Sequence, residues 1–203
     1  MSPTSTPGAP PAALRRLSTT SARALAELNA RFEDLQMVLR CCERLVSELA
    51  EADGAPDDVV VEAVWTTALL SYGRCFAAGA TDTALTADDL TATQPHGEVL
   101  AWHKVLLQLR DHYADPTANP RERFSVGVAR DGDGAPDGIA ITSARQPLVD
   151  NLTVRQTGAI AFALSGLVND RITAMQEKAF GEAKSMPKAE LEGLPALEVV
   201  VPE

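Results

Sequence analysis

LAWHKVLLQLRDHYADP, at residues 100–116, marks the point where a helix gives way to extended chain. Apolar residues recur at spacings of three and four up to Arg110-Asp111, which is typical of one face of an amphipathic helix. Pro116 prevents a further turn, because proline lacks a backbone N–H and restricts the residue before it. The segment therefore predicts a helix that ends close to Asp115, with a different structure after it.

Beyond Pro116 the apolar residues alternate, and this pattern predicts a β-hairpin at 122–143. Phe124 and Val126 alternate with small or polar residues in the first strand, as do Ile139 and Ile141 in the second. The turn-forming sequence DGDGAPDG separates the two strands. Because a lone hairpin is marginally stable in water, we expect these four side chains to be buried against the helices.

Three other long helices are expected. The first runs from about residue 14 to the Gly54 and Pro56 stop, the second from about 58 to 79, and the last from the Thr153 capping box to about 183. The predicted fold is mainly α: an up-and-down four-helix bundle with a β-hairpin between helices three and four.

The tails are assigned by composition. Residues 1–12 are predicted to be a disordered N-terminal tail, residues 13–184 the helical domain, and residues 185–203 a flexible acidic C-terminal tail. Within this last segment, LEVVV at 197–201 could pair with a sheet edge.

Two features favour a homodimer. Apolar residues form a heptad seam along the first helix, which could pack inside the bundle or against a second copy. The seam consists of Leu25, Leu28, Phe32, Leu35, Leu39, Cys42, Val46 and Leu49. The second feature is the run of small residues at 73–79, which allows a neighbour to approach closely.

The net charge of −10 argues against general nucleic-acid binding, because an acidic chain repels phosphate backbones.

The three cysteines, Cys41, Cys42 and Cys75, are interpreted as reduced thiols, and Cys75 is expected to be buried. Since the N-terminus lacks a signal-peptide core and no apolar run approaches the ~20 residues of a membrane span, we expect a cytoplasmic protein.

No metal or cofactor is expected. His96 and His103 lie seven residues apart, which is about 10.5 Å along a helix and too far for one ion. We interpret the histidines as solvated or capping residues. Asp131 and Asp133 begin a calcium-like pattern, but the loop lacks its terminal glutamate. The sequence has no phosphate-binding or dinucleotide-binding glycine loop.

Two short blocks resemble the HEPN family of helical RNases and their inactive relatives. They are LLSYGRCFAAG at 69–79 and LRDHYADP at 109–116, and a hairpin and a long helix follow the second block. The resemblance covers about residues 58–180. It implies a composite site across a dimer, built from an arginine, a polar residue and a histidine. Arg110 and Asp111 match the first two, but Asp115 stands where the family has histidine.

This difference bears on activity. Metal-independent RNA cleavage needs a cation on the phosphate and an acid–base group near neutrality, such as histidine with its pKa of ~6.5. Asp115, with an ordinary pKa of ~3.9, would be ionised and would repel the phosphate. His112 is a poor substitute, because two residues rotate it about 200° around the helix from Arg110. A simpler interpretation is that Arg110 pairs with Asp111 or Asp115 at the helix end.

Three functional hypotheses follow. The leading one is a HEPN-like helical protein without catalytic activity, which acts by binding a protein or ligand in a defence or stress setting. The alternatives are a metal-independent RNase with a composite dimer site around Arg110, which would bind RNA, and a purely structural or assembly module. The net charge disfavours the RNase, and the sequence does not separate the other two.

Overall fold

The structure, a computed structural model, describes residues 14–50, 55–93 and 97–197. Within these ranges the protein is mainly helical, with one small antiparallel hairpin. The elements in chain order are α1 (Thr20–Ala50), α2 (Asp58–Cys75), α3 (Ala87–Ala92), α4 (Val99–Ala114), β1 (Glu122–Arg130), β2 (Pro136–Arg145), α5 (Asn151–Ser185) and α6 (Lys188–Gly193).

The apolar seam of α1 lies inside the protein. Leu28, Leu35 and Cys42 are buried, and the other predicted seam residues are partly buried against the same core. Helix α1 packs against both α5 and α2. Of the two partners that the sequence left open for this seam, the structure shows the intramolecular one.

The long helices form an open series. Helix α5 packs on α1, α1 on α2, and α2 on α4, whereas α4 and α5 hardly approach each other. The short helix α3 contacts both α4 and α5. The backbones of α4 and α5 therefore lie apart along much of their length, although Trp102 of α4 is hydrogen-bonded to Thr157 of α5.

Helix α2 ends at Cys75, four residues before the predicted end, because side chains of α1 form hydrogen bonds with the segment that follows. Arg31 donates a hydrogen bond to the Ala77 carbonyl at 3.1 Å, and the Glu27 carboxylate accepts from the Ala80 and Thr81 N–H groups at 3.0 and 3.1 Å. A Cβ atom at Gly79 would lie 2.4 Å from Glu27 Oε2. This part of the run of small residues thus serves a contact within the chain.

The two ends of the described chain pair with each other. Arg16 N donates to the Pro195 carbonyl at 2.8 Å, and Leu197 N donates to the Leu14 carbonyl at 3.0 Å. Helix α6 precedes this bridge, in a segment that was expected to be a flexible tail. Leu197 does not pair with the hairpin, and the rest of LEVVV, like the predicted disordered tail at 1–12, lies outside the described residues.

The predicted hairpin is present, but the prediction that its apolar side chains are buried is wrong. Strands β1 and β2 pair antiparallel, with Val126 opposite Ile141. Val126 is 71% exposed and Ile141 70% exposed, and Phe124 and Ile139 are also exposed. The hairpin extends from the helices because the core is filled by side chains of the helices and of the loop residue Leu85. Only the base of the hairpin is held to α2, by ion pairs of Arg145 with Asp58 and of Arg121 with Glu62.

Helix α3 is anchored through Asp89. The Thr86 N–H donates to Asp89 Oδ2 at 2.8 Å, and the Asp89 N–H donates to Thr86 Oγ1 at 3.3 Å, which completes a capping box. Arg171 of α5 forms an ion pair with the same carboxylate. Burial raises the pKa of Asp89, but the bonds from Arg171 and Thr86 outweigh it and hold the pKa below its ordinary value.

Replacing Asp89 should destabilise the protein. We expect Asp89→Ala to lower the free energy of unfolding by about 1–2 kcal/mol, because it removes both the cap and the partner of Arg171. Urea unfolding measures this, with exposed Asp88→Ala as the matched control. Since the folded-state pKa of Asp89 is lowered, its contribution is present above the unfolded value of ~3.9 and is lost as the pH falls below it. Equal stability of the two variants at pH 7 would contradict the anchoring role.

Candidate functional site

The two blocks that carry the HEPN resemblance lie against each other. Arg110 of α4 lays its aliphatic stem across Gly73 of α2, where an added Cβ atom would lie 2.4 Å from Arg110 Cδ. The absence of a side chain at Gly73 is therefore what lets Arg110 take this position. Gly73 and Gly79 of this run therefore both lie against side chains of the same chain, whereas Ala77 and Ala78 are exposed.

The guanidinium of Arg110 is bound to its sequence neighbour. Arg110 Nε donates to Asp111 Oδ1 at 2.9 Å, and Arg110 Nη2 lies 2.6 Å from the same oxygen. The Arg110 side chain is 31% exposed and that of Asp111 is 68% exposed. Pairs this close to solvent contribute about 0–1 kcal/mol, so Asp111 holds the guanidinium only weakly.

Asp115 has a different partner. It ends α4, and its Oδ1 atom accepts from the Thr117 N–H at 2.8 Å and from Thr117 Oγ1 at 2.7 Å. These two bonds lower the pKa of Asp115 below its ordinary value. The carboxylate is thus ionised near neutrality and stabilises the turn that follows α4. The structure brings Arg110 and Asp111 together, and Asp115 bonds to Thr117 instead.

His112 is exposed, and its ring contacts Tyr113 edge-on, with the ring centroids 6.0 Å apart. Its charge contributes a little to the lowered pKa of Asp115. Among the described contacts, His112 forms no hydrogen bond or ion pair with Arg110, Asp111 or Asp115.

A buried tyrosine–histidine pair was missed by the sequence interpretation. Tyr72 Oη lies 2.9 Å from His103 Nδ1, and the ring of Phe76 packs on His103 with the centroids 4.4 Å apart. His103 is 8% exposed, so its interpretation as a solvated or capping residue is wrong. The signal was the seven-residue spacing of His103 and Arg110, which places both on the face of α4 that meets α2.

The protonation of this pair follows from its burial. Burial raises the pKa of Tyr72 and lowers the pKa of His103, with a further lowering by the charge of Lys104. Both groups are therefore neutral near neutral pH, and the phenol donates to His103 Nδ1 when the imidazole carries its proton on Nε2. Because Tyr72 is fully buried, the pair has no access to a substrate. Its role is to hold α4 on α2, and this contact also positions Arg110.

Several concave surfaces lie outside this group, and two of them include aromatic side chains. The first, of about 320 Å³, lies at the base of the hairpin and includes Trp65 and Tyr113 beside the Arg121–Glu62 and Arg145–Asp58 pairs. The second, of about 540 Å³, occupies the gap between α4 and α5 and is mainly apolar. We call it the α4/α5 groove. It is lined by Gly97, Glu98, Val99, Ala101, Trp102, Val105, Gln156, Ala159, Ile160 and Ala163.

The described residues contain no group of three or more histidine, cysteine or carboxylate side chains that could hold a metal ion. All three cysteines are buried free thiols. Burial raises the pKa of Cys42 and of Cys75 to about 12, so neither is a thiolate near neutrality.

No protein-family model, curated protein or solved structure matches the chain. In the part of the chain that the structure describes, every helix is too short or too polar to cross a membrane.

The tyrosine–histidine pair should contribute to stability. We expect Tyr72→Phe to lower the free energy of unfolding by about 1–3 kcal/mol, because it leaves His103 Nδ1 buried without a donor. Chemical denaturation measures the change. Tyr113→Phe is the matched control, since the described residues include no hydrogen-bond partner for its hydroxyl and the ring is only partly buried. A loss no larger than that of the control would show that the bond does not stabilise the contact.

His103 should also make stability depend on pH. The unfolded chain binds a proton at the ordinary histidine pKa of ~6.5, whereas folded His103 binds it only at lower pH. Its contribution is therefore present above pH ~6.5 and decreases as the pH falls through that value. His103→Gln should reduce the slope of unfolding free energy between pH 7.5 and 5.5, and exposed His112→Gln serves as the control. An unchanged slope in His103→Gln would rule out this linkage.

Proposed function

We propose that this protein is a HEPN-like helical protein without nuclease activity, which acts by binding a protein or ligand. The proposal rests on the contacts of Arg110 and Asp115 at the helix end that resembles the HEPN site. Arg110 is engaged by Asp111, and the residue in the histidine position, Asp115, is an ionised carboxylate bound to Thr117.

The chemistry of the α4 end, where Arg110, Asp111 and Asp115 lie, supports binding over cleavage. Arg110 could hold an anionic group, because its pair with Asp111 is close to solvent and weak. RNA cleavage would also require proton transfer to and from oxygen atoms at neutral pH. Asp115 is poorly suited to that role, because its lowered pKa makes it a weak base and its negative charge opposes a phosphate.

The finer description of the fold belongs to the same proposal. We infer an up-and-down four-helix bundle of α1, α2, α4 and α5, with the hairpin between its last two members. The order of the long helices and the position of the hairpin support this inference.

A homodimer and a cytoplasmic location are further parts of the proposal. The apolar seam of 25–49 packs within the chain, as do Gly73 and Gly79, so a dimer would need a surface beyond these two features.

An assembly module is the second candidate, and the exposed hairpin favours it. A strand pair with several large apolar side chains in solvent is a typical feature of an unfilled protein interface. If the protein is an assembly module, Arg110 and its neighbours at the end of α4 would contribute only to stability. Only the first candidate predicts that restoring the family histidine at position 115 yields Arg110-dependent cleavage, so this gain separates the two.

We expect the native protein to show no Arg110-dependent cleavage of RNA. Purified protein would be incubated with labelled single-stranded RNA and with tRNA in EDTA, beside Arg110→Ala. Because well-placed acid–base groups contribute about 10²–10⁴-fold, the missing histidine alone should reduce the rate to background. Cleavage by the native chain that disappears in Arg110→Ala would contradict the proposal and favour the RNase alternative.

Asp115→His tests the resemblance from the opposite direction, since it restores the histidine of the family pattern. If the geometry is HEPN-like, this variant should gain cleavage that is lost again in Asp115→His with Arg110→Ala. Ala114→His is the matched control, because it adds the same side chain at an exposed residue one position before the family histidine. No gain in Asp115→His, with circular dichroism unchanged, would leave the resemblance unsupported and favour the assembly module.

A further inference from the structure

The cavity at the base of the hairpin lies where several parts of the fold meet. Helix α2 lines it together with Tyr113 at the end of α4, residues 120–121 before β1 and residues 145–149 at the end of β2 and beyond. Its volume of about 320 Å³ is at the lower end of the range of small-molecule sites. We call it the hairpin-base cavity.

Much of the surface of the hairpin-base cavity is apolar. Val59 and Val61 of α2 contribute to it, as do Pro147, Leu148 and Val149 of the segment that follows β2. Small-molecule sites typically combine such a surface with a few polar groups that fix the orientation of the ligand. A ligand of this cavity should therefore have an apolar part.

Trp65 brings an unpartnered hydrogen-bond donor to the cavity. It lines the cavity and is only 3% exposed. Within the ranges that the structure describes, Arg31 Nε is the only fully enclosed side-chain nitrogen or oxygen atom without a hydrogen-bond partner. The indole N–H of Trp65, which bonds to no described residue, therefore lies at the small exposed edge of the ring, where a ligand can reach it.

Tyr113 supplies a second donor. Its ring is partly buried, and its hydroxyl bonds to no described residue. Burial raises the pKa of Tyr113, the charge of Glu62 raises it further, and the charge of Arg121 lowers it. The hydroxyl therefore keeps its proton at neutral pH and is able to donate to a ligand.

Two carboxylates and two arginines give the cavity balanced charge. Arg121 Nε lies 3.3 Å from Glu62 Oε1, and Arg145 Nη1 lies 3.4 Å from Asp58 Oδ2. The two arginine side chains are 69% and 79% exposed, and ion pairs this close to solvent are weak. Because a guanidinium has several donors and a carboxylate several acceptor sites, each member of a pair is able to bind a further charged group.

The polar groups converge around Glu62. Trp65 follows Glu62 by three residues, so the two side chains are neighbours on the surface of α2. The charges of Glu62 and Arg121 both act on the hydroxyl of Tyr113, so these two groups are also close to it. One small ligand could therefore contact several of these groups at once.

The signs of these groups decide which ligand fits. The N–H of Trp65 and the O–H of Tyr113 need an acceptor, which a carboxylate supplies together with a charge for arginine. A ligand with a carboxylate alone would be repelled by Asp58 and Glu62, whereas a cation would be repelled by the arginines and would leave the Trp65 N–H unbonded. A zwitterion meets an opposite charge at each end, and its lack of net charge avoids repulsion by a chain of −10.

We propose that the hairpin-base cavity binds a free α-amino acid with an apolar side chain. The carboxylate of the ligand accepts from Trp65, Tyr113 and Arg121, its ammonium group donates to Glu62, and its side chain lies on the apolar surface. The cavity does not include Arg110, so this inference is independent of the HEPN-like proposal.

NMR spectroscopy of the isotope-labelled full chain tests the location of the site. The sequence has two tryptophans, and the other one, Trp102, lies in the α4/α5 groove and donates to Thr157 Oγ1 at 3.2 Å. Trp102→Phe assigns the two indole N–H signals. We expect L-phenylalanine to shift the Trp65 signal with a dissociation constant of about 1 mM or tighter, and to leave the Trp102 signal unchanged.

Two analogues of phenylalanine test the need for both charges. Phenylpropionate lacks the ammonium group, and phenylethylamine lacks the carboxylate. Each should bind at least ~10-fold more weakly than L-phenylalanine, because each loses hydrogen bonds to a charged group.

Substitutions at the cavity assign each charge to its partner. Arg121→Gln should narrow the difference between L-phenylalanine and phenylethylamine, because the carboxylate then contributes less. Glu62→Gln should narrow the difference between L-phenylalanine and phenylpropionate for the corresponding reason. Arg123→Gln is the matched control, since Arg123 is exposed and lies outside the cavity, and it should leave all three affinities unchanged. Circular dichroism would verify that each variant is folded.

Each other result would overturn the proposal. If none of the three compounds shifts the Trp65 signal at up to ~20 mM, the cavity is not such a site. A shift of the Trp102 signal alone would place the ligand in the α4/α5 groove. An analogue that binds as tightly as L-phenylalanine would show that one charge is not recognised. A uniform loss of affinity for all three compounds in Arg121→Gln and Glu62→Gln would show that these residues only shape the cavity.

Discussion

Burial of the apolar face of α1 is the interaction on which the rest of the structure depends. Leu35, Val38 and Leu45 are fully enclosed, and each such side chain contributes about 1.5–3 kcal/mol relative to exposure. Helix α1 fixes α5 on one side and α2 on the other. Helix α2 in turn fixes α4 through the contact between Tyr72 and His103, and the position of Arg110 follows from that contact. The candidate site is thus three packing steps away from the core helix.

The parts of the fold that could be predicted are those encoded in local patterns. Apolar spacings of three and four marked the long helices, and alternation around DGDGAPDG marked the paired strands. The burial of the hairpin was predicted wrongly, because alternation shows that a strand has an apolar face and does not show what covers it. The gap between α4 and α5 was missed for a related reason: it depends on which helices meet, and each helix alone would suit a closed arrangement.

The same distinction applies to the candidate site. The pairing of Arg110 with Asp111 was one of the options visible in the sequence, since the two are adjacent. The bond from Thr117 to Asp115 follows a local pattern of aspartate two residues before a backbone N–H. The Tyr72–His103 bond could not be derived in this way, because its partners lie 31 positions apart on different helices. Helical periodicity placed His103 and Arg110 on one flank of the helix but did not show that this flank is buried or which residue lies opposite.

The open side of α4 also implies uneven stability within the protein. Helix α1 is enclosed by neighbours on two sides, whereas α4 packs closely on α2, with α3 at one end and a side-chain hydrogen bond from Trp102 to Thr157 of α5. Local opening of α4 would therefore break fewer contacts than opening of α1, and regions with fewer buried contacts open at lower free energy. The backbone amides of α4 should then exchange with solvent deuterium sooner than those of α1. The α4–hairpin segment would behave as a separate cooperative unit that can detach while α1, α2 and α5 stay folded.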